Sequence, residues 1–402
     1  MFLDLLRRRN PNFVLAAMRL HQAGCIPANS FVLDLDAVEE NARHFASEAK
    51  RLGLTTFAMT KQVGRSSGFC KAVMRGGIKS AVAVDMACAR ACARAGMRIG
   101  HLGHLVQVPR HEAREAANRF QPEYWTVFSE TKANEASVAS AGAERMQAIL
   151  ARIFAIDDTF YRGHEGGFEA NGILKVADMI DALPGARFAG ITTFPALLFD
   201  NSLGAVNPTA NLSTLETAAE ALRKSGRGDI EINAPGTTSS AVLGALADAG
   251  ATQCEPGNGL HGTTPLHAVR DLPELPAVLY LTEISHHYGG SAFCFGGGLY
   301  IDPVFPGYKP KAIVSSEPTV SSNALADVEI PPPSAIDYYG IVESRKVGEP
   351  RSGDTVIFGF RGQAFVTRAF TVGVAGVSKG APEVVSIENA FGEPANWQGD
   401  SP

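Results

Sequence analysis

Short apolar stretches alternate with amphipathic helical stretches about eight times between residues 30 and 270. Strands are expected at 30–36, 55–60, 80–84, near 99, and at 125–128, 148–155, 188–192, 231–233 and 252–255. Helices are expected between them, the clearest at 37–52, 86–95, 130–141, 170–182 and 211–225. Strict alternation argues for a parallel sheet. The span is close to the roughly 250 residues that a (β/α)8 TIM barrel uses. An open doubly wound sheet suits it less, because eight units would be many for one. After Pro276 helical periodicity stops. Short β-branched runs with Gly and Pro punctuation follow, as at 278–284, 292–295, 355–360 and 370–374, which reads as a C-terminal all-β domain. The expected class is therefore α/β, a TIM barrel over 30–275 with an all-β domain over 276–402. A helical segment, 1–29, precedes them and is free to join the C-terminal domain.

The 402 residues suffice for two domains. A net charge of −5, with no basic run longer than Arg7-Arg8-Arg9, argues against a nucleic-acid partner. No stretch of about 18 uncharged apolar residues or signal-peptide pattern is visible, so no membrane association is expected. The six cysteines show no disulfide-framework spacing, which suits a cytoplasmic protein.

The chemistry is expected where barrel strands end. Thr56-Phe57-Ala58-Met59-Thr60-Lys61 is a strand that finishes on a lysine. Burial there would lower the lysine pKa and let it form a Schiff base with an aldehyde; a solvated strand-end lysine is the plain alternative. Thr192-Thr193 and Asn233 end two later strands. Gly236-Thr237-Thr238-Ser239-Ser240 reads as the hydroxyl-rich start of a helix, suited to a phosphate or simply to N-capping. In Glu255-Pro256-Gly257-Asn258-Gly259, the glycines would let backbone amides approach the same anion. Two phosphate-competent loops and a strand-end lysine are what pyridoxal 5′-phosphate (PLP) requires. Glu255 is the candidate acid at its pyridine nitrogen.

Together these stretches resemble the fold-type III PLP-dependent enzymes, the alanine racemase N-terminal-domain superfamily. The resemblance rests on residues 32–41, 58–61, 236–240 and 255–262. Gly103-His104-Leu105-Val106-Gln107, residues 283–287 and Phe365-Val366-Thr367-Arg368 resemble its YhfX-like branch more narrowly. It implies a barrel, a C-terminal β domain, an amino-acid substrate, and a homodimer with active sites at the subunit interface. It also implies a cofactor shell of Lys61, Thr193, Asn233, Thr237, Thr238, Ser239, Glu255, Gly257, Asn258 and Gly259, with Tyr338 as a further contact.

The chain departs from the family pattern at several of these positions. Alanine racemases place an arginine where this chain has Glu255, whereas Glu255-Pro256-Gly257 resembles the basic amino-acid decarboxylases. Thr193 stands where a histidine usually stacks on the ring, Asn258 where the decarboxylases have an arginine, and the mid-barrel arginine looks replaced near Glu165. The second acid/base, expected from the partner's C-terminal domain, falls near Phe295, leaving Cys294 and His287 as candidates. No metal is assigned, although His286, His287 and Cys294 could together form a zinc site like that of D-serine dehydratases of this fold. Arg361 or Arg368 could clamp a carboxylate. The leading expectation is an amino-acid racemase. The alternatives are a decarboxylase, a D-amino-acid dehydratase or aldolase, and a non-catalytic PLP-binding protein.

Overall fold

The computed structural model describes residues 1–343, 350–365, 367–397 and 399. Val366, inside one of the family-like stretches, lies outside them. The chain divides into two compact units. One comprises Ala42–Thr60 and Val73–Leu260; the other comprises Met1–Asn41, Lys61–Ala72 and His261–Pro402. Among the described residues no helix is long and apolar enough to cross a membrane.

The first unit is a closed parallel barrel of eight strands. In order around it they are Thr55–Met59, Ser80–Ala83, Arg98–Leu102, Tyr124–Val127, Gln147–Phe154, Ala186–Thr192, Glu231–Asn233 and Gln253–Cys254. The ring closes where Gln253 and Cys254 pair with Thr55 and Thr56. Small residues make these strands buried on both faces: all four of Ser80–Ala83 are inside, as expected of a parallel sheet covered by helices. The outer helices follow a 3.6-residue period. Ala210–Lys224 buries Leu212, Leu215, Ala218, Ala219 and Leu222 along one stripe. Asp85 and Ser129 cap the helices Met86–Arg94 and Glu130–Ala141 by accepting from backbone amides of their first turns.

The second unit is an antiparallel all-β domain with helices on it. Strands Val278–Tyr288, Ser291–Phe295, Tyr339–Val342, Leu325–Glu329, Lys311–Ser315 and Thr355–Phe358 form a ring that returns to its first member. The N-terminal helices Phe2–Arg9 and Pro11–Gln22 bury Leu3, Leu6, Phe13, Val14, Ala17 and Met18 in its core beside Leu279, Leu281, Ile313 and Ile357.

One strand differs from the expected arrangement. Ser30–Asp34, read as the barrel's opening strand, pairs antiparallel with Val278–Leu281 and parallel with Phe370–Val374, within the all-β unit. The first strand of the parallel ring is instead Thr55–Met59. All five residues of this strand are buried. A continuous apolar run looks the same in either sheet, and its partners lie more than two hundred residues away.

The barrel interior depends on one small residue. A Cβ on Gly100 would lie 2.1 Å from Cδ1 of Phe57, the ring that fills the centre with Met59 and Val82. Gly100→Ala should therefore cost about 1–3 kcal/mol through overpacking. Urea unfolding would show a lower midpoint, partly restored by adding Phe57→Leu. An unchanged midpoint for Gly100→Ala alone would show that the ring can move aside.

Candidate active site

Glu255 follows the last barrel strand and is buried. Its donors come from the adjacent strand Glu231–Asn233 and from Arg98–Leu102, farther round the ring. Asn233 Nδ2 donates to Oε1 at 3.0 Å, and His101 Nδ1 lies 2.5 Å from the same oxygen. The Asn233 amide is oriented by Thr192, whose hydroxyl donates to Asn233 Oδ1 at 2.7 Å. His101 is wholly buried, and its Nε2 lies 2.5 Å from Thr126 Oγ1. His104 Nε2 lies 3.6 Å from Glu255 Oε2.

Electrostatics follow from this arrangement. Burial by itself would raise the Glu255 carboxyl pKa. The charge interactions of His104 and His101, with the hydrogen bonds from His101 and Asn233, outweigh it and hold the group below its ordinary value. An ionised carboxylate can only accept, so His101 Nδ1 carries the proton between them. Oε2 is buried and has no hydrogen-bond partner among the described residues. A buried anion with one oxygen left unmatched is suited to a ligand donor such as a ring N–H.

The loops expected to bind phosphate meet in the same unit. A Cβ on Gly259 would lie 2.5 Å from the Thr238 carbonyl oxygen and 3.4 Å from Ser239 Cα, so only glycine allows this approach. Thr238 Oγ1 donates to the Gly236 carbonyl at 3.1 Å, and Ser240 Oγ lies 3.2 Å from His44 Nε2. The Thr237 amide donates to the Leu197 carbonyl. Ser239 Oγ is buried with no hydrogen-bond partner, which leaves one hydroxyl for an anion. The expected helix here is shorter than the sequence suggests, a turn Ser240–Val242 followed by Leu243–Asp248. The anion-binding capacity therefore lies in the loop groups rather than in a helix dipole. The unmatched Glu255 oxygen and the unspent Ser239 hydroxyl both fit PLP, with its ring nitrogen and its phosphate.

Lys61 falls in the other unit. It directly follows the first barrel strand in the chain and opens the turn Lys61–Val63. Its carbonyl accepts from the Phe365 amide at 2.9 Å. Gly64, at φ +65°, lets the following turn pass close to Thr371 and the Phe365 ring. Thr193 is buried, with Oγ1 accepting from Asn211 at 3.3 Å. Gly257 is buried and Asn258 half-buried in the turn after Glu255. Tyr338 is exposed. It lies under the Arg368 guanidinium, and Arg368 is itself paired with Asp337 at 2.7 Å.

Three expectations change. Cys294 is fully buried in its strand, where burial pushes the thiol up to about 12, so it is no acid or base near neutrality. His287 is exposed on the strand Val278–Tyr288, opposite Ala292. The His286 ring stacks on Phe293 at 4.8 Å, and no zinc cluster forms with Cys294. Among the described residues, the one close group of three such donors is His101, His104 and Glu255, within 4.8 Å. The hydrogen bond between His101 and Glu255 occupies two of the atoms that a cation would need. Arg361 is also unavailable as a clamp, because both arms of its fork bind Asp302 at 2.5 Å inside the all-β unit.

Two groups escaped the sequence reading. His101 stands in a buried run, Ile99-Gly100-His101-Leu102, with a second histidine three residues on; a histidine inside a barrel strand was the available signal. Arg152 lies within the fifth strand rather than after it and is fully buried. Its Nη2 donates to the His164 carbonyl at 2.7 Å, while Nε and Nη1 are buried without partners. Burial lowers its guanidinium to about 10.

Residues 33–265 match the alanine racemase N-terminal domain, and residues 279–384 match the YhfX-like C-terminal domain. The chain is 38% identical over 392 residues to the uncharacterized protein YhfX of Escherichia coli (strain K12), covering 98% of this chain and 99% of that one. Its fold is similar to that of D-threonine aldolase from Filomicrobium marinum, with a TM-score of 0.67 at 17% identity, covering 92% and 96% of the two chains. It is also similar to D-threo-3-hydroxyaspartate dehydratase from Delftia sp. HT23, with a TM-score of 0.65 at 15% identity and coverage of 91% and 98%.

The low Glu255 pKa has a consequence for stability. A carboxyl depressed by folding stabilises the protein above its unfolded pKa, about 4.3, and that contribution is lost as pH falls through the folded value. Glu255→Gln should cost about 1–3 kcal/mol at neutral pH, and the difference should shrink in acid below about pH 4. Urea unfolding over that range checks this. A difference that stays constant with pH would mean the carboxyl is not held ionised.

Proposed function

Because the chain belongs to the alanine racemase N-terminal-domain family, we propose that it is a PLP-dependent enzyme acting at Cα of an amino acid, with racemisation as its reaction. The observation that carries the cofactor reading is the buried Glu255 carboxylate, held anionic with one oxygen unmatched. PLP, when bound, supplies an aldehyde for an amine and a ring that draws electrons away from Cα.

The chain's own groups divide the work. With the cofactor bound, Lys61 would be the amine that holds it and the group that would move a proton at Cα. The loops at 236–240 and 257–259 hold the phosphate, with Ser239 Oγ as a donor. Glu255 Oε2 holds a proton at the ring nitrogen. Arg152 offers two buried N–H donors to an anionic oxygen of cofactor or substrate. The opposite face of Cα needs a second acid/base. With Cys294 shut in the core, His287 is the remaining candidate, reached through a homodimer in which one subunit completes the other's site.

A second reading, a lyase that cleaves a bond at Cα, is favoured by one specific observation. The buried Cys294 leaves no thiol for the opposite face, and single-face cleavage needs none.

Absorption spectra separate these readings from any cofactor-free function. The purified protein with PLP should show a visible band, and borohydride followed by peptide mapping should place the adduct on Lys61. Lys61→Ala should lose the adduct and slow turnover by about 10²–10⁴-fold. Incubation of D- and L-amino acids in deuterated water then reports Cα exchange. Exchange from both enantiomers supports racemisation; release of an aldehyde, ammonia or carbon dioxide without inversion supports the lyase. No band with added PLP sinks both.

A further inference from the structure

Asn233 alone would give Glu255 a hydrogen bond, yet the barrel places two histidines against the same carboxylate. His101 is clamped at both ring nitrogens, by Glu255 Oε1 and by Thr126 Oγ1, each at 2.5 Å. Its ring is wholly buried, tilted against the core ring of Phe57 at 6.4 Å and against His104 at 5.2 Å. It has no path to solvent and no room to turn, so its action is confined to the carboxylate.

The two carboxylate oxygens have different surroundings. Oε1 receives both His101 and Asn233, whereas Oε2 faces His104 Nε2 at 3.6 Å and has no hydrogen-bond partner among the described residues. A proton shared at Oε1 withdraws electron density from the whole carboxylate and makes Oε2 a weaker base. A donor bound at Oε2 then keeps its own proton.

We infer that His101 is a positioning residue which, through Glu255, keeps the proton on the cofactor's ring nitrogen rather than on the carboxylate. This rests on the PLP reading above and deepens it, because it assigns the charge of the ring to a residue that does not touch it. The charged or titratable groups facing Glu255 are few. The strand Arg98–Leu102 and the residues after it bring His101 and His104. The Tyr124–Val127 and Glu231–Asn233 strands bring only the neutral Thr126 and Asn233, and the adjacent Cys254 thiol is pushed up to about 12 by burial. Removing His101 leaves Oε1 with the Asn233 donor alone and makes Oε2 more basic. The proton then moves from the ring nitrogen to Oε2, and the ring draws electrons from Cα less strongly.

The test is nitrogen-15 NMR of the protein loaded with PLP labelled at the ring nitrogen, which reads protonation independently of turnover. The unaltered protein should show a protonated nitrogen at neutral pH. His101→Phe should show it deprotonated, or titrating at a pH lower by about one unit, a tenfold loss of proton affinity. His101→Gln, which keeps a donor to Oε1, should restore most of the protonated signal. Thr126→Val, which frees the far side of the imidazole and leaves the core otherwise filled, should shift it in the same direction as His101→Phe but less. A cofactor band that persists in His101→Phe with an unchanged ring-nitrogen signal overturns this inference alone. The absence of any band in the unaltered protein overturns the cofactor reading with it.

Discussion

The barrel is closed by very few hydrogen-bonded residues. Gln253 and Cys254, a strand of two residues, pair with Thr55 and Thr56 and join the last strand to the first. Immediately after this seam the chain delivers Glu255 to the interior. Closure and site are thus the same event. Without the pairing at Gln253 the carboxylate has no fixed position, and Asn233, His101 and Thr126, from three different strands of the ring, have nothing to converge upon. Because the ring closes from strands far apart in the sequence, its contacts are long-range and form only when the whole barrel does.

Burying a carboxylate costs several kcal/mol unless its charge and lone pairs are met. The barrel meets most of that cost through the charge interactions of His104 and His101 and the hydrogen bonds of His101 and Asn233, whose side chains are oriented by hydroxyl groups. Thr192 fixes Asn233, Asn233 donates to Glu255, and Thr126 fixes His101. Arg152, also fully buried, lacks a carboxylate and lies over the Phe128 ring at 4.6 Å. The barrel therefore keeps one anion and one cation apart at energetic cost, and each retains atoms without partners. A structure selected only for stability would have joined them.

The barrel and the all-β domain were legible because alternation and the loss of helical period are local signals. Lys61, the loop at 236–240 and Glu255 could be placed after strands from the sequence, and in the structure each follows one. Three things were not legible. Ser30–Asp34 carries no mark of which sheet it joins, since pairing with Val278–Leu281 is a tertiary choice. Cys294 alternates on a strand whose inner face only the folded domain defines. His101 and Arg152 lie inside strands, where a polar residue reads as a defect until its partners on other strands are known.

The exchange of arginine for a carboxylate at position 255 changes more than the sign of a charge. A guanidinium holds its proton at any ordinary pH and fixes the charge beside it. A carboxylate backed by an imidazole has a basicity that its second neighbour sets, and here that neighbour is locked at both nitrogens. Such a pair places the basicity of the carboxylate under the control of the protein interior rather than of solvent. The position of the second acid is then a separate matter. Phe295 cannot transfer a proton, and Cys294 is sealed between Ile284 and Gly340. The imidazole groups that remain, His286 and His287, stand on an exposed strand end. The buried carboxylate with its histidines thus lies in the core of the barrel unit, while the imidazoles of the all-β unit stand at a surface.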